Sequence, residues 1–262
     1  MKMFKGMSKL VAASAVALSA GAVQAAPINV GGVVWDPDTP LFDFSSNSNL
    51  IEDQLNLVPG PDFVNTLTGF GQVTGINQTN QATFCPGCEL TYVFGGYTVS
   101  NVSVDDKGTP LDTSDDEATI EFSGGWIEFY VDSSTAYDAN DQASAGDGLL
   151  WLRLEAHDVN GASLVSELTN YGNGTDAGTG IGLLDVHSGA AASNFDTDTQ
   201  TDGADFVFSS SFQPLPNNAV TDDGFELFGT ADLRGESIPV PATAFLLGLG
   251  LLGMGVVRKR TK

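Results

Sequence analysis

Cations, histidine and cysteine are all scarce in this chain. Its 262 residues include 10 Lys+Arg against 33 Asp+Glu, with 2 His and 2 Cys. The formal charge of −23 repels phosphate backbones and excludes nucleic acid as a partner. Two histidines leave little room for a His-rich metal site. Two cysteines build neither a multi-bridge scaffold nor a four-cysteine zinc site. The chain also lacks a Gly-x-Ser-x-Gly elbow, a His-Glu-x-x-His pair and a phosphate-cradling glycine loop. The reading is therefore non-enzymatic: no catalytic residue and no cofactor is assigned. Disorder is excluded as well, since 42% of residues are hydrophobic and acidic disordered chains are poor in them.

What cations there are sit mostly at the ends. Residues 1–25 carry Lys2, Lys5 and Lys9, then an apolar run from Leu10 to Ala22, then Val23-Gln24-Ala25 before Ala26-Pro27. A basic start, a short apolar stretch and small residues at −3 and −1 make a secretory signal peptide, cut between Ala25 and Ala26. At the other end Ile238-Pro239-Val240-Pro241 precedes residues 242–257, which carry no charge, and Arg258-Lys259-Arg260 follows. As a helix that run reaches about 24 Å, slightly short of a ~30 Å hydrocarbon core. The flanks supply some reach, and the basic cluster favours a cytoplasmic end. An ordinary tail anchor is the plainer alternative.

The order of parts in residues 238–262 resembles a PEP-CTERM sorting signal. In that family a short Pro motif precedes a Gly/Leu-rich helix and terminal arginines; here Val240 stands where Glu is usual. The resemblance implies export, transient retention in the inner membrane, recognition by an exosortase near the Pro motif, and release to the surface or matrix of a Gram-negative bacterium that makes exopolysaccharide.

Removing both ends leaves residues 26–237 as one acidic domain. Only Lys107, Arg153 and Arg234 remain as cations, so its formal charge is −30. Twenty-four of the acids are Asp, which disfavours helix interiors and favours turns. Leu90–Phe94, Tyr97–Val104, Ile120–Phe122, Ile127–Val131, Leu150–His157, Phe206–Phe208 and Phe225–Phe228 are rich in β-branched or aromatic residues, several alternating with polar ones. Such runs between Gly/Asp/Asn/Ser clusters predict an all-β domain, an antiparallel β-sandwich or jelly-roll-like fold. Gly124-Gly125 marks a bulge or turn. A weak helical pattern covers Asn49–Leu57, and Thr169–Gly182 reads as glycine-rich loop.

Cys85-Pro86-Gly87-Cys88 places Pro and Gly at the centre of a type II turn, a spacing compatible with a disulfide in an oxidising compartment. A redox pair would need a helix start after a strand, and zinc two further ligands. Three Asp-rich segments are candidate calcium loops: Asp105, Asp106 and Asp112, continuing through Asp115 and Asp116; Asp196 and Asp198, continuing to Asp202 and Asp205; and Asp132, Asp138, Asp141 and Asp147. Calcium takes six to eight hard oxygens, though no segment has EF-hand spacing. Solvated turns are the alternative. Trp35, Trp126 and Trp151 are candidates for stacking on sugars, with core packing as the commoner role of aromatics.

Three blocks, Gly31–Pro37, Phe84–Tyr97 and Gly124–Asp132, resemble the flocculation-associated PEP-CTERM proteins. That resemblance implies a non-catalytic surface protein linked to floc formation with exopolysaccharide. The partners expected are thus exosortase, exopolysaccharide and, transiently, the inner membrane, with Asp loops bridging acidic polysaccharide through divalent cations. A secreted hydrolase or carbohydrate-binding module is the alternative.

Overall fold

The computed structural model describes residues 25–39, 42–52, 66–172, 177–219, 221 and 224–239. The signal region 1–24, residues 240–262 with the apolar run, and 53–57 of the helical pattern lie outside these. No helix among the described residues is long and apolar enough to cross a membrane.

The domain is all-β and antiparallel. A small hairpin comes first, β1 (Ile28–Val30) with β2 (Val33–Trp35). Its turn uses Gly31 and Gly32, both at positive φ, where glycine carries no Cβ penalty. Then follow β3 (Phe42–Glu52), β4 (Thr66–Ile76) and the short β5 (Thr79–Asn80). A single helical turn, α1 (Gln81–Phe84), leads to the longest strand, β6 (Glu89–Asp105). After it come β7 (Glu117–Ser123), β8 (Trp126–Asp132), β9 (Leu149–His157) and β10 (Leu164–Thr169). The series ends with β11 (Ala177–Ser188), β12 (Phe206–Pro214) and β13 (Leu227–Gly235).

Apart from the β1–β2 hairpin, these strands form one sheet that closes on itself. From β4 the ladders run through β3, β13 and β12 to β11. There the sheet forks. The first half of β11 pairs with β10, which leads through β7 to the second half of β6. The second half of β11 pairs with β9, which leads through β8 to the first half of β6. β6 returns to β4. Closure removes the unpaired edges that would otherwise template aggregation.

Glycines explain where the sheet bends. The sequence reads Leu90–Phe94 and Tyr97–Val104 as separate runs, yet they are one strand turning at Gly95-Gly96. Gly96 has φ +76°, and a Cβ there would lie 2.9 Å from the Trp126 ring. The glycine-rich Thr169–Gly182 holds a second correction, because Ala177–Gly182 is strand rather than loop. Gly178, Gly180 and Gly182 share the inner face of β11. A Cβ would approach the Glu167 carbonyl to 2.3 Å, Ser210 Oγ to 2.9 Å and the Ser163 carbonyl to 2.7 Å. The wall curves there until only glycine fits. The helical pattern over Asn49–Leu57 is corrected too, since residues 49–52 continue β3.

The interior is apolar and aromatic. Phe44 stacks on Phe129 with centroids 5.1 Å apart, and Phe44, Trp35 and Phe195 surround Trp151. The indole N–H of Trp151 donates to the Val30 carbonyl at 3.0 Å, and that of Trp35 to Ser237 Oγ at 2.8 Å. These two bonds fasten the N-terminal hairpin over one end of the closed sheet. Cys85 and Cys88 are joined, with Cα atoms 5.1 Å apart. Gly87 sits between them at φ +84°, and Gly32 of the hairpin packs against Cys88 Sγ.

Candidate functional site

The acidic loops are built from local hydrogen bonds. Asp105 accepts from the Lys107 amide, Asp106 from Gly108 and Asp112 from Ser114, at 3.0–3.1 Å. Asp132, Asp138 and Asp141 accept from the amides of Ser134, Asn140 and Ala143 in the same way. Each is a side-chain-closed turn, which explains the preference for Asp over the longer Glu. Lys107 Nζ bridges Asp105 and Glu117 at 2.9 and 2.7 Å. The structure therefore does not gather Asp105, Asp106 and Asp112 into a set of convergent ligands. Their amide partners hold Asp105, Asp112 and Asp132 below the usual carboxylate range, with the side-chain bonds from Lys107 and Ser114 the largest influence on the first two and the Thr135 amide on the third.

Among the described residues one acidic group does converge, within the second of the candidate segments but without Asp202. Asp196 and Asp198 meet Asp205, not Asp202. Asp205 is buried. Its Oδ1 accepts from the amides of Thr197 (2.6 Å) and Asp198 (2.8 Å), and its Oδ2 from Val186 (2.7 Å). Asp205 thus ties the 196–205 loop to β11. Asp202 instead occupies a turn at φ +57°. The geometry accounts for Asp205 as a structural anchor, and the two exposed acids beside it add no ligand signal.

A ladder of charged side chains crosses the outer face of β8, β9 and β11. Glu155 and Asp185 are directly opposite in register, an unfavourable pairing of like charges. Each has a histidine on its diagonal: His157 Nδ1 lies 2.9 Å from Asp185, and His187 Nε2 lies 3.5 Å from Glu155. His187 falls in the register shift between Val186 and Ser188, where a bulge re-aims a side chain. Arg153 pairs with Glu128, reaches Glu155 and lies over Trp126 at 5.5 Å. The contacts link the ladder's side chains to one another, although Arg153 Nε is buried without a hydrogen-bond partner. His157 meets Asp185 rather than its sequence neighbour Asp158.

A concavity among the described residues lies elsewhere, on the outside of β4, β12 and β13. It is a groove of about 600 Å³, within the range of small-ligand sites. Its wall carries the aromatic rings of Tyr137 and Phe228 with the amides and hydroxyls of Gln72, Gln213 and Thr230, while the ring of Phe212 packs against the core. Among the described residues no carboxylate or cation lines it, although the domain carries 33 acids. Behind the wall, the buried Glu89 receives a hydrogen bond from Gln72 Nε2 at 2.9 Å. Burial raises the Glu89 carboxyl above the usual range. The Tyr137 amide pulls it partly back, and Asp132 and Asp147 add to the rise.

Four segments separate in sequence line this groove, and no local pattern announces it. The tryptophans singled out from sequence do not contribute: Trp35 and Trp151 are buried, and Trp126 lies under Arg153. Of the sorting motif, Ile238 and Pro239 are described, and the Ile238 amide donates to the Asn194 carbonyl at 2.8 Å. Val240, Pro241, Arg258, Lys259 and Arg260 lie outside the described residues. Comparisons with protein-family models, with curated proteins and with solved structures give no match.

Proposed function

We propose that this chain is an exported, non-catalytic surface protein, sorted through its C-terminal segment by an exosortase after transient anchoring in the inner membrane. In the exopolysaccharide matrix it plays a structural or adhesive role. The observation that carries this reading is the placement of the two ends. The Ala25 amide bonds Asp38, the hairpin's Trp35 bonds Ser237, and Ile238 is held by Asn194. Both targeting segments therefore leave from the same end of the closed sheet. The groove sits further along the strands. From Gly235 back to Thr230 is five residues of β13, about 17 Å at strand spacing. A domain tethered at its C-terminus holds the groove away from the membrane.

The sandwich or jelly-roll description belongs with this proposal. The glycine-lined bend at β11 supports a flattened sheet whose walls face each other. The hydrolase alternative needs two facing carboxylates in a cleft, and the groove's described lining has none.

The test is deletion of the gene in the producing strain. Loss of floc formation, restored by the returned gene, is the expected result. A deletion strain that flocculates normally would remove the proposed role.

A further inference from the structure

We infer that the groove beside Tyr137 and Phe228 binds an uncharged stretch of polysaccharide directly, without a metal ion. This rests on the matrix role proposed above and replaces the bridging of acidic polymer through cations.

Three observations carry it. First, the lining has the chemistry that sugars require. Aromatic rings offer apolar faces to C–H surfaces, while amides and hydroxyls both donate and accept hydrogen bonds. With the Gln72 nitrogen engaged by Glu89, Gln72 offers the ligand a carbonyl oxygen. Ser211 Oγ and Thr230 Oγ1 lie 2.9 Å apart across the β12–β13 ladder, a neighbouring pair of hydroxyls on the groove's side of the sheet.

Second, charge selects the occupant. A domain of formal charge −30 repels a polyanion at every approach. Among its described residues the groove holds no cation to compensate that repulsion, so an acidic polymer gains nothing from them. An uncharged polymer loses nothing.

Third, most acids of the candidate calcium loops are engaged locally. Asp105, Asp106, Asp112, Asp132, Asp138 and Asp141 accept amide hydrogens within their own turns. Asp205 accepts three.

The test uses the full chain, purified in mild detergent and run through native gels containing polymer. The probes are hydroxyethylcellulose, dextran and galactomannan as uncharged polymers, and alginate as the acidic one, each with calcium or with chelator. We expect at least one uncharged polymer to retard the wild-type chain equally in calcium and in chelator. Phe228→Ala is expected to weaken that binding about tenfold, the size of one well-packed aromatic contact. An exposed position provides the second variant, which separates loss of binding from loss of folding. Thr230→Trp fills the groove from a strand site that tolerates aromatics, and should abolish retardation with an unchanged circular dichroism spectrum. Three results would overturn the inference: no uncharged probe retards the chain, only alginate with calcium does, or Thr230→Trp binds as well as wild type. Any of these would leave the deletion phenotype, and so the matrix role, standing.

Discussion

Replacing Trp151 by alanine is expected to destabilise the domain by about 5 kcal/mol, near the top of the range for aromatic truncation in a core. Trp151 is 1% exposed, with no route by which water can compensate the lost contacts. Its ring meets Trp35 and Phe44 edge-on at 5.7 and 5.9 Å and Phe195 at 5.7 Å. One substitution therefore opens a void among three aromatic neighbours. It also removes the indole donor to Val30, which helps to hold the N-terminal hairpin against the closed sheet. Urea denaturation of the secreted protein should show the midpoint falling with little change in slope. Trp151→Phe should recover part of the packing but not the hydrogen bond. A Trp151→Ala chain as stable as wild type would show that the hairpin is not fastened as described.

Asp205→Ala should cost about 3 kcal/mol, because three amides lose one shared acceptor in a buried setting. The effect separates an anchor from a calcium ligand. Asp205→Asn keeps one acceptor oxygen for Thr197 and Asp198 but turns an N–H group towards the Val186 amide, so it too should be destabilised. If Asp205 acts as an anchor, calcium and chelator leave the wild-type melting temperature unchanged, and both variants melt lower in either condition. A wild-type protein stabilised by calcium, with the advantage absent in Asp205→Asn, would make the cluster a metal site instead.

Much of the fold was legible because strands announce themselves locally. Ile127–Val131 and Leu152–His157 alternate, and their inward members pack in the core, while a register shift at Trp151 turns that residue inward and leaves Leu150 exposed. Two misreadings share one cause. Glycine at alternate positions in Gly178–Gly182 carries no hydrophobic signal, and its meaning lies in the crowding of strands 11 to 34 residues away. Gly95-Gly96 looks like a break for the same reason, when it is a bend in one strand beneath Trp126. At the candidate site, local logic served the Asp turns well, since such a turn closes within two or three residues. It grouped Asp205 with Asp196, Asp198 and Asp202 but could not tell which of them meet, because β11 and the 196–205 loop must first pack together. Nor could it place Gln72, Tyr137, Gln213 and Phe228 along one groove, as these belong to a loop and three strands brought together by long-range register.

The same physics separates the two uses of polarity in this molecule. Its acids keep the surface charged and shape its turns, while the described lining of the groove is neutral.

The most direct measurement is the polysaccharide held in the cell pellet when the deletion strain carries the wild-type gene or Thr230→Trp, with equal surface amounts of protein confirmed by immunoblot. Retention with the wild-type gene, and loss with Thr230→Trp to the level of the deletion strain, is the predicted result. Equal retention with both genes would contradict the account.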